Sequence, residues 1–453
     1  MLVPRRARPY HGRSRSRAAN RQMPPTKGIP PMIELDRRRF LQSTSLLLAG
    51  GYAQKLLGDE AVEAPAFAEK PTFEPTALFL SWQRDPTTTM TVQWVGEEKD
   101  AENRPIWFAK EGDHAWRKQP HKERRFPMTD KWIFRAELAG LEPDSDYRFR
   151  VGLDSAEERF RTMPAKATKA IHFVSGGDAG TGSHAVQTNH VAAAQSPMFV
   201  VIGGDIAYEN GKSPGVFLEF LKNYSRDLRD ERKRLVPLLG CIGNHDIDGG
   251  YHRPRSDAPF YYSIFDGLYP ETSYASLDFG DYLSLVFLDT DHNSPIGGEQ
   301  TDWLARTLQE REECPTVFVF NHVPAYPSVR PYGGEHSETG TGWGNRKHWV
   351  PLFERYNVDA VFEHHDHAYK RTHPLADGRA SANGIVYLGD GSWGKIRTPV
   401  APEMRPYLAV SDEAYHLSVH RIEGRQRFHV ALADTGRVVD VCSTTKRSHA
   451  RSG

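Results

Sequence analysis

Five short loops of the sequence carry aspartate, asparagine or histidine directly after an apolar run. They are Gly177-Asp178-Ala179-Gly180, Gly204-Asp205-Ile206-Ala207-Tyr208, Gly243-Asn244-His245-Asp246, Asn321-His322 and His364-His365-Asp366-His367. Carboxylate, imidazole and amide groups are hard or borderline ligands that suit Fe, Mn or Zn rather than soft thiolate chemistry. The three cysteines are too few for a disulfide scaffold, although a Cys314–Cys442 pair stays open.

This set of side chains predicts a site for two metal ions. Two metals about 3.5–4 Å apart can clamp the attacking and leaving oxygens of a phosphoryl displacement, and a bridging carboxylate holds them there. A bound hydroxide is available near neutral pH because the metal lowers the pKa of water. The glycines allow sharp turns and close approach, and we expect His245 or Asp246 to orient the ligand histidines.

Each motif alone is a weak signal. A Gly-Asp pair is more often an ordinary turn, and His365-x-His367 is more often a pair on a surface strand. All five motifs in this order, each after an apolar run, are hard to obtain by chance.

The apolar runs supply the elements that must position these side chains. Runs over 171–175, 198–202, 236–242, 316–320 and 358–362 predict strands buried on both faces. Helix-like segments lie between them, such as 300–308 with Trp303, Leu304 and Leu308 on one face. This alternation predicts a layered α/β domain with the ligands at the carboxyl ends of the strands.

The preceding segment, from about residue 71 to 164, has a different pattern. Short β-rich runs over 76–82, 89–94 and 147–151 are separated by turn residues, which predicts a small antiparallel sandwich. The segment 141–147 resembles the corner before a late strand of a fibronectin type III module. A structural or substrate-shaping role is favoured over an independent binding module.

Composition narrows the class of protein. The 453 residues are 38% hydrophobic and 26% charged, which excludes disordered, collagenous and coiled-coil chains. Residues 1–42 carry a net charge of +9, so the remainder carries −9 and argues against a nucleic-acid partner. The sequence contains no apolar run of about 18 residues, so no permanent membrane span is predicted.

The amino terminus is predicted to be an export signal. Arg37-Arg38 before Phe40-Leu41, a short apolar core over 45–51 and Ala66-Phe67-Ala68 form a basic start, an apolar stretch and a cleavage site. The paired arginines resemble a twin-arginine signal. The alternative is a basic tail followed by a short amphipathic helix. Export predicts a bacterial periplasmic or extracellular protein whose partner is the twin-arginine machinery.

Together the five motifs resemble those of the calcineurin-like metallophosphoesterases. Tyr208 and the preceding sandwich narrow the resemblance to the purple acid phosphatase branch, over roughly residues 72 to 440. It implies an α/β fold, with an N-terminal β-sandwich followed by a four-layer α/β/β/α domain. The expected organisation is a disordered leader with the export signal over 1–68, a fibronectin type III-like sandwich over 69–166, the metallophosphoesterase domain over 167–440 and a disordered tail over 441–453.

The resemblance also implies the ligand sets. One metal, ferric in the family, would be held by Asp178, Asp205, Tyr208 and His367. The second, Zn(II), Fe(II) or Mn(II), would be held by Asp205, Asn244, His322 and His365, with Asp205 bridging. His245 and Asp205 would be catalytic, and the substrate contacts would be His245, Asn244 and His336.

Two positions depart from the family pattern. His364 stands where the family usually has glycine. Its imidazole is expected to crowd the metal pocket or to add a contact, and the alternative is a histidine that is solvated or lies behind the metal ligands. Lys370 stands where the family commonly has glutamate. The loop after His322, which normally supplies substrate-contacting histidines, offers only His336, and this leaves substrate preference open.

The predicted function is an exported acid phosphatase that hydrolyses phosphomonoesters of small molecules by attack of a metal-bound hydroxide. A phosphodiesterase on the same scaffold is the nearest alternative. A non-catalytic, metal-containing binding protein is a third, although the intact ligand set speaks against it. The Gly243-Asn244-His245-Asp246 block speaks against the D-type alkaline phosphatases, which share a metal-ligating tyrosine.

Overall fold

In the computed structural model of the chain, residues 63–100, 104–334 and 338–446 are described. The paired arginines and the apolar core of the predicted export signal lie outside them, as does His336, whereas the predicted cleavage site Ala66-Phe67-Ala68 lies within them. No helix in the described ranges is long and apolar enough to cross a bilayer.

The amino-terminal part is a sandwich of two antiparallel sheets. Its strands are β1 (Ala77–Ser81), β2 (Met90–Gly96), β3 (Ile106–Lys110), β4 (Arg117–Gln119), β5 (Lys122–Arg125), β6 (Trp132–Leu138), β7 (Asp146–Val151) and β8 (Glu158–Arg161). The strand orders are β1-β2-β6-β5 and β4-β3-β7-β8. At the corner before β7, the backbone N–H of Glu142 donates to Tyr147 Oη at 2.8 Å, a hydrogen bond that is typical of sandwich corners. The fibronectin type III assignment stays a prediction.

Strands and helices alternate in the rest of the chain, as the sequence predicts. The elements are β9 (Ile171–Gly176), α1 (Ser183–Ala194), β10 (Val200–Gly203), α2 (Pro214–Asp227), β11 (Leu238–Cys241), α3 (Pro259–Phe265), β12 (Ala275–Phe279), β13 (Leu283–Leu288), α4 (Glu299–Glu310), β14 (Val317–Asn321), α5 (Trp343–His348), α6 (Val350–Arg355), β15 (Ala360–Glu363), β16 (Tyr369–Thr372), β17 (Leu375–Ala376), β18 (Arg379–Ala380), β19 (Val386–Asp390), β20 (Leu408–Asp412), β21 (His416–Glu423), β22 (Gln426–Ala433) and β23 (Val438–Thr445). Short 3₁₀ turns cover Glu98–Asp100, Arg255–Asp257 and Pro402–Met404.

Two sheets face each other at the centre of this part. Their orders are β11-β10-β9-β21-β22-β23 and β12-β13-β14-β15-β19-β16-β20. Side chains alternate between the two faces of the second sheet. Phe318, Phe320 and Phe362 face the first sheet, whereas Val317, Val319 and Val361 pack with α4, α5–α6 and their neighbours in a separate core. Strands covered on both faces are continuously apolar, which is why these runs were readable in the sequence. The four-layer α/β/β/α prediction is confirmed.

The sandwich and the layered part share one apolar core. The ring of Trp82, just after β1, lies 6.0 Å from that of Phe199 and 5.7 Å from that of Phe279. An ion pair between Arg135 and Asp266 closes the same boundary. The sandwich therefore contributes directly to packing beneath β10 and β12.

Two predicted boundaries need correction. The predicted disordered tail from residue 441 is wrong for 441–445, because these residues form the second half of β23 and pair with β22. The disorder predicted over 1–68 is wrong at Phe67, whose ring packs 4.7 Å from that of Trp116. The site at which the leader is cleaved stays a prediction. Cys241, Cys314 and Cys442 are all free thiols.

Candidate metal centre

Strand ends bring the five polar loops to one edge of the molecule. β9, β10 and β11 are parallel neighbours in the first sheet, and β14 and β15 are parallel neighbours in the second. Parallel strands present their carboxyl ends at the same edge. The loops that follow these strands therefore converge, as expected.

The side chains form two overlapping buried groups. One consists of Asp205, His322 and His365, and the other of Asp178, Asp205 and His367. Within each group the candidate ligand atoms all lie within 4.8 Å of one another. Asp205 belongs to both groups, which is the arrangement required of a carboxylate that bridges two cations.

Asn244 joins the first group through His322. The His322 Nε2 atom lies 3.3 Å from Asp205 Oδ1, 3.2 Å from Asn244 Oδ1 and 3.2 Å from His365 Nδ1. These four side chains surround one small volume, so the structure brings together all the residues predicted for the second metal.

Tyr208 completes the second group. Its hydroxyl lies 3.0 Å from Asp178 Oδ1 and 2.9 Å from His367 Nε2. His367 Nε2 lies 3.0 Å from the same Asp178 oxygen. The four residues of this group, Asp178, Asp205, Tyr208 and His367, are those predicted for the first metal, and they therefore also converge.

The donor set fits a pair of metal ions. Asp205 is fully buried, and its Oδ2 atom has no hydrogen-bond partner among the described residues. An orphaned buried carboxylate oxygen is costly unless a cation or donor satisfies it. Oxygen and imidazole donors without thiolate suit iron, manganese or zinc.

The electrostatics of the site point the same way. Burial acts to raise the pKa of Asp205, but the neighbouring charges of His322, His245 and His365 outweigh burial and hold the pKa well below its ordinary value. Burial acts to lower the pKa of His322, but Asp205 and Asp178 raise it to about 9. Buried carboxylates that draw a proton onto a histidine form a site that also favours a metal cation.

Tyr208 is held as a neutral phenol by the protein alone. Burial, and then the charge of Asp178, raises its pKa well above the ordinary value. A phenolate here therefore needs a nearby positive charge, which a bound metal would supply.

Backbone strain marks five of the candidate ligands. Asp178, Asp205, Tyr208, His365 and His367 have φ angles of 56°, 51°, 64°, 67° and 55°. Each such non-glycine conformation costs about 1–3 kcal/mol, and such residues cluster at functional sites. The motifs gave the residue types but not this conformation.

Asp246 does not orient a ligand histidine, contrary to one expectation. It accepts from the N–H groups of Gly243 and Asp205 at 2.8 and 2.9 Å and from that of Ile206 at 2.8 Å. It thereby ties the β10 loop to the β11 loop. His322 is oriented instead by the carbonyl of Gly203, which lies 2.9 Å from its Nδ1.

His245 lies over the metal-ligand candidates. Its ring stacks on Tyr208 at 4.6 Å, and its backbone N–H donates to Asp205 Oδ1 at 2.7 Å. Its Nδ1 lies 2.6 Å from Asn210 Oδ1, a contact that fixes the ring orientation. Burial lowers the pKa of His245 even though Asp205 opposes the shift.

His364 is neither solvated nor in the metal pocket. It is buried, and its Nδ1 and Nε2 lie 2.9 Å from the Asn321 carbonyl and 2.7 Å from Asp390 Oδ1. Glycines make room for its ring, because a Cβ at Gly203 or Gly177 would lie 1.8 or 2.6 Å from ring atoms. His364 therefore neither crowds the metal pocket nor faces solvent, and its position is that of the alternative in which it lies behind the metal ligands.

A buried polar chain continues from Asp390 into the core. Ser175 Oγ donates to Asp390 and lies 2.7 Å from His420 Nε2. His420 Nδ1 lies 2.8 Å from His429 Nδ1. The chain links the two sheets beneath the metal centre.

Lys370 also has a buried partner. Its ammonium group pairs with Glu363 and donates to the carbonyl of Tyr326. The other Glu363 oxygen accepts from the N–H of Ala325 at 2.6 Å. The pair therefore anchors the loop that follows His322.

Cationic side chains around the centre were not singled out from the sequence. Arg330 Nη2 donates to the carbonyl of His365 at 3.2 Å. Lys395 Nζ lies 4.3 Å from the Tyr208 ring centroid, and Arg397 Nε lies 3.3 Å from His367 Nδ1. The signal was absent because these residues follow strand ends at no fixed spacing from the motifs.

Comparisons with known proteins agree with this geometry. Residues 141–369, half of the chain, match the calcineurin-like phosphoesterase family, and residues 75–164 match the purple acid phosphatase N-terminal domain. Uncharacterized protein Rv2577 of Mycobacterium tuberculosis is 27% identical over 286 residues, covering 54% of this chain and 52% of that protein. The chain thus spans about half the length of that relative.

Two further proteins are similar over longer stretches. Purple acid phosphatase 23 of Arabidopsis thaliana is 26% identical, covering 71% of this chain and 77% of that protein. The structure of purple acid phosphatase PPD1 from yellow lupin (Lupinus luteus) has a similar fold, with a TM-score of 0.65 at 17% identity over 81% of this chain and 74% of that chain. The chain belongs to the calcineurin-like phosphoesterase family, whose members are hydrolases.

Proposed function

We propose that the chain is a phosphatase that hydrolyses phosphomonoesters of small molecules at a dinuclear metal centre. The observation that carries this proposal is the position of Asp205, which is shared by two buried ligand groups and has one oxygen that accepts no hydrogen bond from the described residues. A single metal site would not require this sharing.

The ligands divide between two metals. Asp178, Asp205, Tyr208 and His367 would hold Fe(III), and Asp205, Asn244, His322 and His365 would hold Zn(II), Fe(II) or Mn(II). When bound, such a pair supplies an activated water as nucleophile and neutralises charge on the phosphoryl group.

The chain's own side chains then position and protonate the substrate. His245 sits above Tyr208 with one ring nitrogen occupied by Asn210. Its Nε2 is the atom proposed to protonate the departing alcohol oxygen. Arg330 and Lys395 add positive charge where the phosphate would lie, since phosphoryl transfer depends mainly on positioning and electrostatic stabilisation.

The pattern of Arg37-Arg38 followed by a short apolar stretch supports an exported enzyme. The proposal assigns residues before the sandwich to a twin-arginine leader and places the mature protein in the bacterial periplasm or outside the cell. The sandwich, of the fibronectin type III-like kind, buttresses the metallophosphoesterase domain through the shared core at Trp82.

Metal analysis of the full chain, together with a visible spectrum, tests the proposal. We expect two metals per chain, one of them iron, and a charge-transfer band from the Tyr208 phenolate. Rates on p-nitrophenyl phosphate should exceed those on bis(p-nitrophenyl) phosphate. The reverse ratio would favour a phosphodiesterase, and bound metal without turnover on either ester would favour a binding protein.

A further inference from the structure

A cavity of about 350 Å³ lies beside the proposed metal centre. Tyr251, Asp291, Trp343, Asn345 and His348 contribute its side-chain walls, and glycines such as Gly297 leave the remaining surface open. Its volume is in the range of small-molecule sites. None of the roles proposed above uses these residues.

Contacts connect the cavity to the ligand group of Asp205, His322 and His365. Val323, which follows His322 in the chain, lines the cavity. The Tyr251 ring lies 4.9 Å from that of His292, which in turn lies 5.6 Å from that of His322. The cavity therefore lies next to His322, with the His292 ring between His322 and Tyr251.

Asn345 supplies a hydrogen-bond acceptor whose orientation is fixed by the protein. Asn345 is 1% exposed, and no described residue donates a hydrogen bond to its Oδ1. Its Nδ2 donates to the Val323 carbonyl at 2.8 Å, which fixes the orientation of the amide. A buried acceptor held in place without a donor lowers its free energy when a ligand supplies one.

The other residues that line the cavity disfavour anionic ligands. Among the described residues, no lysine or arginine lines the cavity, whereas the Asp291 carboxylate does. One Asp291 oxygen accepts from the N–H of Ile296 at 2.7 Å. Tyr251 and Trp343 add flat apolar faces on which a ring can stack.

We infer that this cavity binds the alcohol portion of the ester, and that this portion is uncharged, carries hydroxyl or amine donors and presents a flat face. Nucleosides and monosaccharides share this chemistry. Polyphosphorylated alcohols do not, because a second phosphate would meet Asp291 with no cation from the lining. The inference rests on the proposed phosphatase function.

The test uses metal-loaded full-length protein with adenosine 5′-monophosphate, glucose 6-phosphate and inorganic pyrophosphate. We expect the KM of at least one of the first two to be about tenfold below that of pyrophosphate. The lower of the two KM values distinguishes a nucleoside from a sugar. Trp343→Ala should raise that KM about tenfold and leave the inhibition constant of inorganic phosphate unchanged, since phosphate has no alcohol portion.

Two further variants, one in the cavity and one control in the sandwich, test whether the change in KM is specific to the cavity. Asn345→Leu removes the buried acceptor and should raise the same KM, while Trp132→Ala, a half-buried tryptophan in the sandwich, should not. Equal KM values for all three substrates would overturn the inference. So would a Trp343→Ala variant that changes KM and phosphate inhibition in the same proportion.

Binding of the phosphate-free alcohols separates the two proposals. In one outcome no ester is hydrolysed, but adenosine or methyl glucoside binds and Trp343→Ala weakens that binding. This result would support the cavity assignment and contradict the phosphatase function. If p-nitrophenyl phosphate is hydrolysed and neither alcohol binds, the result would support the phosphatase function and contradict the cavity assignment.

Discussion

Asp205 Oδ1 lies 3.3 Å from His322 Nε2, and both side chains are completely buried. If Asp205 bridges two metals, Asp205→Asn weakens both sites at once, because the amide carries no charge. We expect metal content to fall below two per chain and turnover to fall by about 10³-fold or more. Elemental analysis and phosphatase assays check this.

Asp248→Asn is the matched control for Asp205→Asn. Asp248 pairs with Lys212 at the surface, so its variant should keep both metals and full activity. An Asp205→Asn variant that retained two metals and wild-type turnover would contradict the bridging role.

Tyr208→Phe should abolish the visible band while iron remains bound. The hydroxyl that contacts Asp178 and His367 is lost, but three other ligands to that metal stay in place. Absorption spectra and iron content, measured on the same sample, check this. Tyr251→Phe, which removes a nearby phenol outside both ligand groups, should leave the band intact, and loss of the band in both variants would argue against a Tyr208 assignment.

His245→Gln should reduce kcat by about 10²–10⁴-fold with metal content unchanged. The proposed acid is lost, but no ligand is. Asn210→Ala, which frees the ring at Nδ1, should cause a smaller fall because the imidazole remains. If an ester with a very good leaving group lost as much rate as a poor one in His245→Gln, protonation of the alcohol would not be its role.

Lys370→Ala should lower the free energy of unfolding by about 3–5 kcal/mol, because Glu363 would remain as an uncompensated buried charge. Denaturant unfolding measures this. The double variant with Glu363→Gln should recover part of the loss. Lys212→Ala at the exposed pair with Asp248 should change stability by less than about 0.5 kcal/mol, and a similar value for Lys370→Ala would rule out the anchoring role.

The buried histidine chain predicts acid sensitivity. Burial lowers the pKa of His420 to about 4 even though Asp390 opposes the shift, and the ordinary value is about 6.5. As the pH falls from 6.5 towards 4, the unfolded chain gains a proton that the folded chain does not. His420 therefore contributes about 2 kcal/mol less stability at pH 5 than at pH 7.

Urea unfolding of His420→Asn at the two pH values checks this contribution. The variant should lose about 2 kcal/mol of the pH dependence, whatever its stability at pH 7. His190→Gln, at an exposed position, should retain the wild-type slope. An unchanged slope in His420→Asn would place the acid sensitivity elsewhere.

The strands and the seven proposed ligands were readable from the sequence for one physical reason. Strands covered on both faces need unbroken apolar runs, and metal sites need fixed residue types directly after them. Asp178 and His322 could therefore be predicted as ligands from their residue types and from their positions directly after apolar runs.

Other features depended on long-range packing that no local pattern encodes. Asn345 lies 22 positions after Val323, whose carbonyl it binds, and Arg330 reaches the site through the carbonyl of His365. The role of His364 depends on the glycines across from it, which belong to two other strand ends. The order of residues 441–445 depends on pairing with β22.

His364 and the glycines facing it constrain how this protein can change. A side chain at Gly177 or Gly203 would strike the imidazole, and replacement of His364 by glycine would leave a void under the catalytic loops. No one of these positions can be altered alone without loss of packing. A larger residue at Gly177 or Gly203 would therefore need a smaller residue at position 364 in the same variant.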